Sequence, residues 1–313
     1  MKAPKPCPLP RFRPSFFSVG IIMISMLAGL VLSASTATAQ VDTLSLEYKA
    51  YGSGQLTGHI ATLEIYNPGD EGRLVSLKPS LIPPMEGFQG YVIPTTTQIE
   101  VRGGSKVILL LKGFSTDFFR PPVPEGQPFP HPSQWIEPSA PPPLEELTVT
   151  EDGPYQNAGP WPEGAMVPTF PGSDQELPVK IDVSRRPEAA APFLVDAVHR
   201  IRDAYDIQVA GDQIQTPFSG DPEAVREQVV QEIFWIYTAA LQGLPYTLET
   251  FTGRLRKILA HDDHAATGTA PSEEGQFEKK ARNLWETFRR VGRDAMILKV
   301  GGPGVNPPKK KNP

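Results

Sequence analysis

From Val41 to about Arg120 apolar and polar residues alternate in short runs. Leu44-Ser45-Leu46-Glu47-Tyr48 has the period of two expected for a half-buried strand, and Ile60-Ala61-Thr62-Leu63-Glu64-Ile65-Tyr66 repeats it. The second run stops at Asn67-Pro68-Gly69-Asp70, a turn signal. Arg73–Leu77, Tyr91–Ile93, Gln98–Val101 and Lys106–Leu111 read as further strands, the last entered through Arg102-Gly103-Gly104-Ser105. Short strands at this spacing, punctuated by Gly and Pro, predict an antiparallel β-sandwich over residues 40–120.

Residues 121–185 break the alternation. Pro121-Pro122-Val123-Pro124, Pro128-Phe129-Pro130-His131-Pro132 and Pro141-Pro142-Pro143 favour extended polyproline conformation. Trp135, Tyr155, Trp161 and several Phe are interleaved. A disordered linker is usually poor in aromatics, so the segment is expected to be ordered and laid across its neighbours.

From about residue 186 the period becomes helical. Pro187 opens one helix, and Phe193, Val198, Ile201 and Tyr205 give it a broad apolar face. Asp221-Pro222 is the clearest helix start, an N-cap followed by proline in the first turn. That helix is predicted to reach about Leu241, apolar on nearly every side and therefore buried. Residues 248–260 and 273–298 predict two more, making a small helical bundle over 186–298. A basic tail, 299–313, ends in Lys309-Lys310-Lys311 among prolines and is expected to be disordered. The fold class is thus α+β: sandwich, Pro-rich connector, helical bundle.

Two resemblances follow. Thr62–Asp70, then Ile99-Glu100-Val101-Arg102-Gly103-Gly104-Ser105-Lys106-Val107-Ile108-Leu109, resembles the Ig-like sandwich modules of exported bacterial proteins. In those modules a strand ends in an Asn-containing turn, and a late V-x-x-G-G-x-x-V hairpin follows. This implies architecture and an extracellular habit, and it carries no catalytic residues. The Gln228-x-x-Gln231-x-x-Phe234-Trp235 stretch resembles the Gln-bearing helix of bacterial surface thioester domains. Those domains need a Cys to bond the Gln, so the likeness implies architecture alone.

The first 39 residues change the picture from fold to location. Lys2, Lys5, Arg11 and Arg13 precede an apolar run from Val19 to Leu32, and Ala37-Thr38-Ala39 follows. This is the order of a secretory signal peptide, with cleavage expected between Ala39 and Gln40. The alternative is an uncleaved anchor, but the strictly apolar run is short of the roughly 20 residues a spanning helix needs. The expected location is periplasmic or extracellular, with membrane tethering only if the signal stays on.

Composition narrows the chemistry. The single Cys, Cys7, lies in the signal, so the exported chain forms no disulfide, thiolate site or Cys nucleophile. Removing the four basic residues of the signal leaves 26 basic against 35 acidic residues, a formal charge of −9. Nucleic acid is not an expected partner of so acidic a chain. His261-Asp262-Asp263-His264 is the sharpest local cluster: His261 and His264, three apart on a helix, make a candidate metal pair. A polar helix end is the simpler account. Gly-x-Ser-x-Gly is absent, and no spacing selects a base among the five histidines. No cofactor is expected. The function expected is a non-enzymatic binding or structural protein of the bacterial envelope or extracellular space. Its partner would be an unidentified protein or glycan, met by Trp135, Tyr155 and Trp161. The alternative is an exported hydrolase or metal-dependent enzyme acting on envelope polymers.

Overall fold

The alternating region folds as seven strands. They are β1 (Glu47–Gly52), β2 (Thr57–Tyr66), β3 (Arg73–Leu77), β4 (Ser80–Ile82), β5 (Tyr91–Ile93), β6 (Thr97–Val101) and β7 (Lys106–Ser115). The computed structural model describes residues 45–161, 165–211, 221–244, 246–262 and 271–300, except for the side chains of 257–274. The signal segment with Ala39 and Gln40, His264, and the lysine tail lie outside the described residues. Five strands form an antiparallel sheet in the order β1-β2-β7-β5-β4, and β3 pairs with β6 in a separate two-stranded sheet. A register shift between His59 and Ala61 bends β2, and the large sheet curls as a half-barrel.

The hairpin implied at Gly103-Gly104 is not formed between the strands flanking it. β6 pairs with β3 and β7 with β2, so residues 102–105 carry the chain from one sheet to the other. The physical reason lies in the alternation of side chains across a strand. One face of the large sheet, with Leu63, Ile65, Tyr91 and Leu111, packs on Val75, Leu77 and Val101 of the small sheet. The opposite face, with Leu81, Val92 and Phe114, packs on helices.

The described residues of the Pro-rich segment bond to the sheet edges. Gly52 N donates to Gln127 O (2.9 Å) and Phe129 N to Ala50 O (2.8 Å), so residues 123–129 run along the outer edge of β1. Val123 and Phe129 are buried there. A Cβ on Gly52 would come within 2.7 Å of backbone oxygen, so only glycine admits this close approach. At the far side, Leu81 and Ile136 exchange two backbone bonds of 2.9 Å each along the edge of β4. A strap poor in N–H groups covers exposed edges without adding orphan donors of its own. It continues through two short pairings, β8 (Gln156–Asn157) with β10 (Val179–Lys180) and β9 (Met166–Pro168) with β11 (Leu298–Val300).

Among the described residues four helices complete a mixed α+β fold: α1 (Pro187–Ala210), α2 (Pro222–Leu241), α3 (Leu248–Asp262) and α4 (Pro271–Asp294). Asp221 caps α2 as its sequence predicts, accepting from Ala224 N at 3.2 Å. From Val229 onward α2 is buried on all sides. It packs on α1, α4 and the five-stranded sheet, and this core is shared between sheet and helices.

The last helix ends earlier than its periodicity predicts. Met296 adopts φ 54°, Met296 N bonds Arg293 O (2.8 Å), and Ile297 N bonds Gly292 O (3.3 Å). These are the two bonds of a Schellman ending, with a methionine in the left-handed position that glycine usually fills. Leu298 therefore leaves the helix and begins β11, and Lys299 and Val300 belong to that strand, not to a disordered tail. Met296→Gly is expected to stabilise the chain by about 1 kcal/mol by removing the left-handed strain, read as a higher urea midpoint.

Candidate functional site

α2 organises the polar interior. Gln231 is buried, accepts from Ser115 N at 2.8 Å and donates to Ser115 O at 2.9 Å. Its side chain thus completes the backbone pairing at the end of β7. Trp235 Nε1 donates to Ser115 Oγ (3.2 Å), which in turn donates to Gln89 Oε1. Gln89 Nε2 donates to the Tyr91 hydroxyl (3.2 Å), and that hydroxyl accepts from Val123 N (3.0 Å). One polar chain therefore stitches helix, sheet and Pro-rich strap.

Two acidic residues of α2 are buried and held by arginines. Glu227 Oε1 lies 2.5 Å from Arg202 Nη2 and 3.2 Å from Arg226 Nη1. Glu232, with 2% of its side chain exposed, accepts from Arg254 Nε at 2.8 Å. The Arg254 guanidinium stacks 4.0 Å above the Trp235 ring and lies 5.3 Å from that of Phe118. Burial raises the Glu232 carboxyl above its ordinary range, and the Arg254 charge works against that rise. Burial, then the nearby Glu232, pushes the Tyr246 hydroxyl far up, so it stays protonated.

Two hollows open on α2. The first, about 600 Å³, lies between residues 54–58 and the helix; Lys112, Glu227, Gln228 and Glu232 are among the residues that line it. Its carboxylates Glu227 and Glu232 are already ion-paired. The second, about 580 Å³, is lined by Trp161, Met166, Tyr246, Trp285 and the charged residues Arg282 and Glu286. The Tyr246 and Trp285 rings stack at 6.1 Å and 18°. Arg289 also lines this hollow and is fixed by Glu286 (2.8 Å) and by Met166 Sδ (3.2 Å). Tyr246 lines the second hollow, and its buried hydroxyl, like Glu232 Oε2, meets no hydrogen-bond partner among the described residues. Volumes of this size are typical of small-ligand sites.

Of the three aromatics singled out in the sequence, Trp161 lines the second hollow. Tyr155 packs partly buried against the helical core. Trp135 packs against the sheet core and donates from Nε1 to Pro130 O at 3.0 Å. The structure thus places the three in different surroundings. His261 falls in the last turn of α3, but the side chains of that turn and His264 lie outside what is described. Among the described residues no group of three or more His, Cys, Asp or Glu is placed to hold a metal ion. Tyr246, Trp285, Glu232 and Arg254 were not selected from sequence. Tyr246 carried one signal, an aromatic residue directly after the helix-breaking sequence Gly243-Leu244-Pro245. Compared with protein-family models, curated proteins and solved structures, the chain matches none.

Proposed function

We propose that the chain is an exported, non-enzymatic binding protein of a bacterial envelope or extracellular space, with a glycan as its ligand. One observation carries this reading: the hollow that places Trp161, Tyr246 and Trp285 beside Arg282, Glu286 and Arg289. Aromatic rings offer large apolar contact at low entropic cost, which suits the C–H faces of sugar rings. Planar charged groups supply directional hydrogen bonds to hydroxyls and carboxylates. The signal-like first 39 residues and the Ig-like patterning of residues 62–109 support the exported part of the reading. The finer assignment of the β-region as an Ig-like sandwich belongs to the same proposal. It is supported by the small sheet stacked on one face of the large one. In the other hollow Glu227 and Glu232 are bound to arginines, Glu223 to Lys112, and Asp221 caps α2, which favours a binding role over hydrolysis.

Calorimetric titration with soluble peptidoglycan fragments tests it. The wild-type chain is expected to bind, and Trp161→Ala to weaken binding at least about tenfold, or about 1.4 kcal/mol. No binding by the wild type, or binding indifferent to both Trp161→Ala and Arg282→Ala, would sink the reading. Trp161 is half-buried on a loop, so its replacement leaves the core intact.

A further inference from the structure

β7 has one open edge. Along its length it is bonded to β2, while β5 pairs with it only at Phe114 and Ser115. No other described strand pairs with residues 106–112. In the five-stranded sheet the Pro-rich strap bonds to β1 at Ala50 and Gly52 and to β4 at Leu81, and among the described residues no bond of the strap reaches 106–112.

The residues along it are unusual for an unprotected edge. Ile108 and Leu110 are each 57% exposed on the outer face. Val107 and Leu109, with Ile99 of β6, are only partly buried on the inner face. Natural edges are normally blunted by charge, proline or a bulge, and here charge appears only at the two ends, Lys106 and Lys112.

The sequence of the edge is nearly symmetric. Lys106-Val107-Ile108-Leu109-Leu110-Leu111-Lys112 reads apolar between two lysines in either direction about Leu109. We infer that two copies of the chain pair through this edge, antiparallel, with Leu109 on the two-fold axis. Such an interface is isologous. Ile108 then faces Leu110 of the second copy on the outer face, and Val107 faces Leu111 on the inner one. The half-open inner side is extended by matching apolar residues.

The end charges fit the same register. Lys112 pairs with Glu223 at 2.6 Å and Lys106 with Glu64 at 3.3 Å. Glu223 is 61% exposed. Two-fold pairing brings Lys106 of the second copy alongside Lys112, where Glu223 faces both cations. The lysines that would otherwise repel are each met by a carboxylate, and this favours a second copy over an unrelated strand. The inference stands apart from the glycan reading and does not rest on it.

Sedimentation equilibrium of the full chain over a concentration series is the test. A reversible dimer is expected. Leu110→Glu sets a carboxylate against Ile108 of the second copy, and it should raise the dissociation constant at least about tenfold. Leu110 is exposed, so this variant folds. Oxidation of Leu109→Cys in a Cys7→Ser background should yield a covalent dimer, because directly opposed residues of a non-hydrogen-bonded antiparallel pair bring their Cβ atoms to about 4.5 Å, within reach of a disulfide. Ser76→Cys, exposed on the small sheet, should not cross-link. A chain that is monomeric throughout the series overturns the inference. So does a dimer unaffected by Leu110→Glu. A monomer that takes up an extended peptide along 106–112 assigns the edge to a different chain and overturns the self-pairing as well.

Discussion

Arg254→Ala is expected to cost about 3–5 kcal/mol at neutral pH, because it strands a buried carboxylate. Glu232 has Arg254 as its ion-pair partner and almost no contact with water. The same guanidinium also covers the Trp235 ring. The loss should depend on pH in a defined direction. Burial already raises the folded carboxyl above the ordinary 4.5. A group raised in this way favours folding fully below its unfolded value, and that contribution disappears as pH rises through the folded value. Removing Arg254 raises the folded value further. The gap between variant and wild type should therefore be smallest near pH 4.5 and widen toward neutrality. Urea unfolding at several pH values measures this, and a gap that stays constant would assign the cost to lost stacking rather than to charge. Glu232→Gln in the Arg254→Ala background removes the stranded charge and should recover much of the loss.

Trp235→Ala should be comparably severe, about 3–5 kcal/mol. Trp235 is 1% exposed, and its ring meets Phe118 edge-on at 5.6 Å. Its Nε1 holds Ser115 Oγ, so the substitution leaves a cavity and unpins the end of β7 together. The two losses should not add. Arg254 and Trp235 are in contact, and their combined cost should fall short of the sum by about 0.5–3 kcal/mol. Strict additivity in a double-mutant cycle would show that the stacking contributes nothing. Trp235→Phe restores most of the volume without the indole N–H, and it should separate the cavity from the hydrogen bond.

Local patterning made much of the fold readable. The strand at 60–66 follows from alternation, that at 106–111 from a short apolar run entered through a Gly-Gly turn, and the start of α2 from Asp221-Pro222. Partners are a different matter. Nothing near Val101 says that its strand pairs with Arg73–Leu77 instead of the strand after the turn, because pairing depends on which face finds a surface to cover. β4 is three residues between prolines, too short to show a period. The helical pattern through Leu298 was broken by Met296 in a conformation its side chain disfavours, and only the tertiary pairing with Met166–Pro168 makes that worthwhile. In the candidate site, Trp161 drew notice because aromatics are uncommon among prolines. Arg254 and Glu232 looked like ordinary helix-surface charges. Their meeting inside the protein joins two helices through a tertiary contact that has no local signature. Tyr246 and Trp285 were likewise indistinguishable from core residues until their shared hollow was visible.

The pairing of β9 with β11 sets an order of events for chain growth. Met166–Pro168 are made early, yet their backbone partners, Leu298–Val300, come after all four helices. Until those residues emerge, the buried Met166–Pro168 segment lacks its ladder, and closing so long a loop must await helix packing. A nascent chain halted before residue 297 should thus hold its N-terminal sheet while the segment around Met166 stays open to protease. The segment around Met166 thus gains its backbone partners only once the four helices have been made.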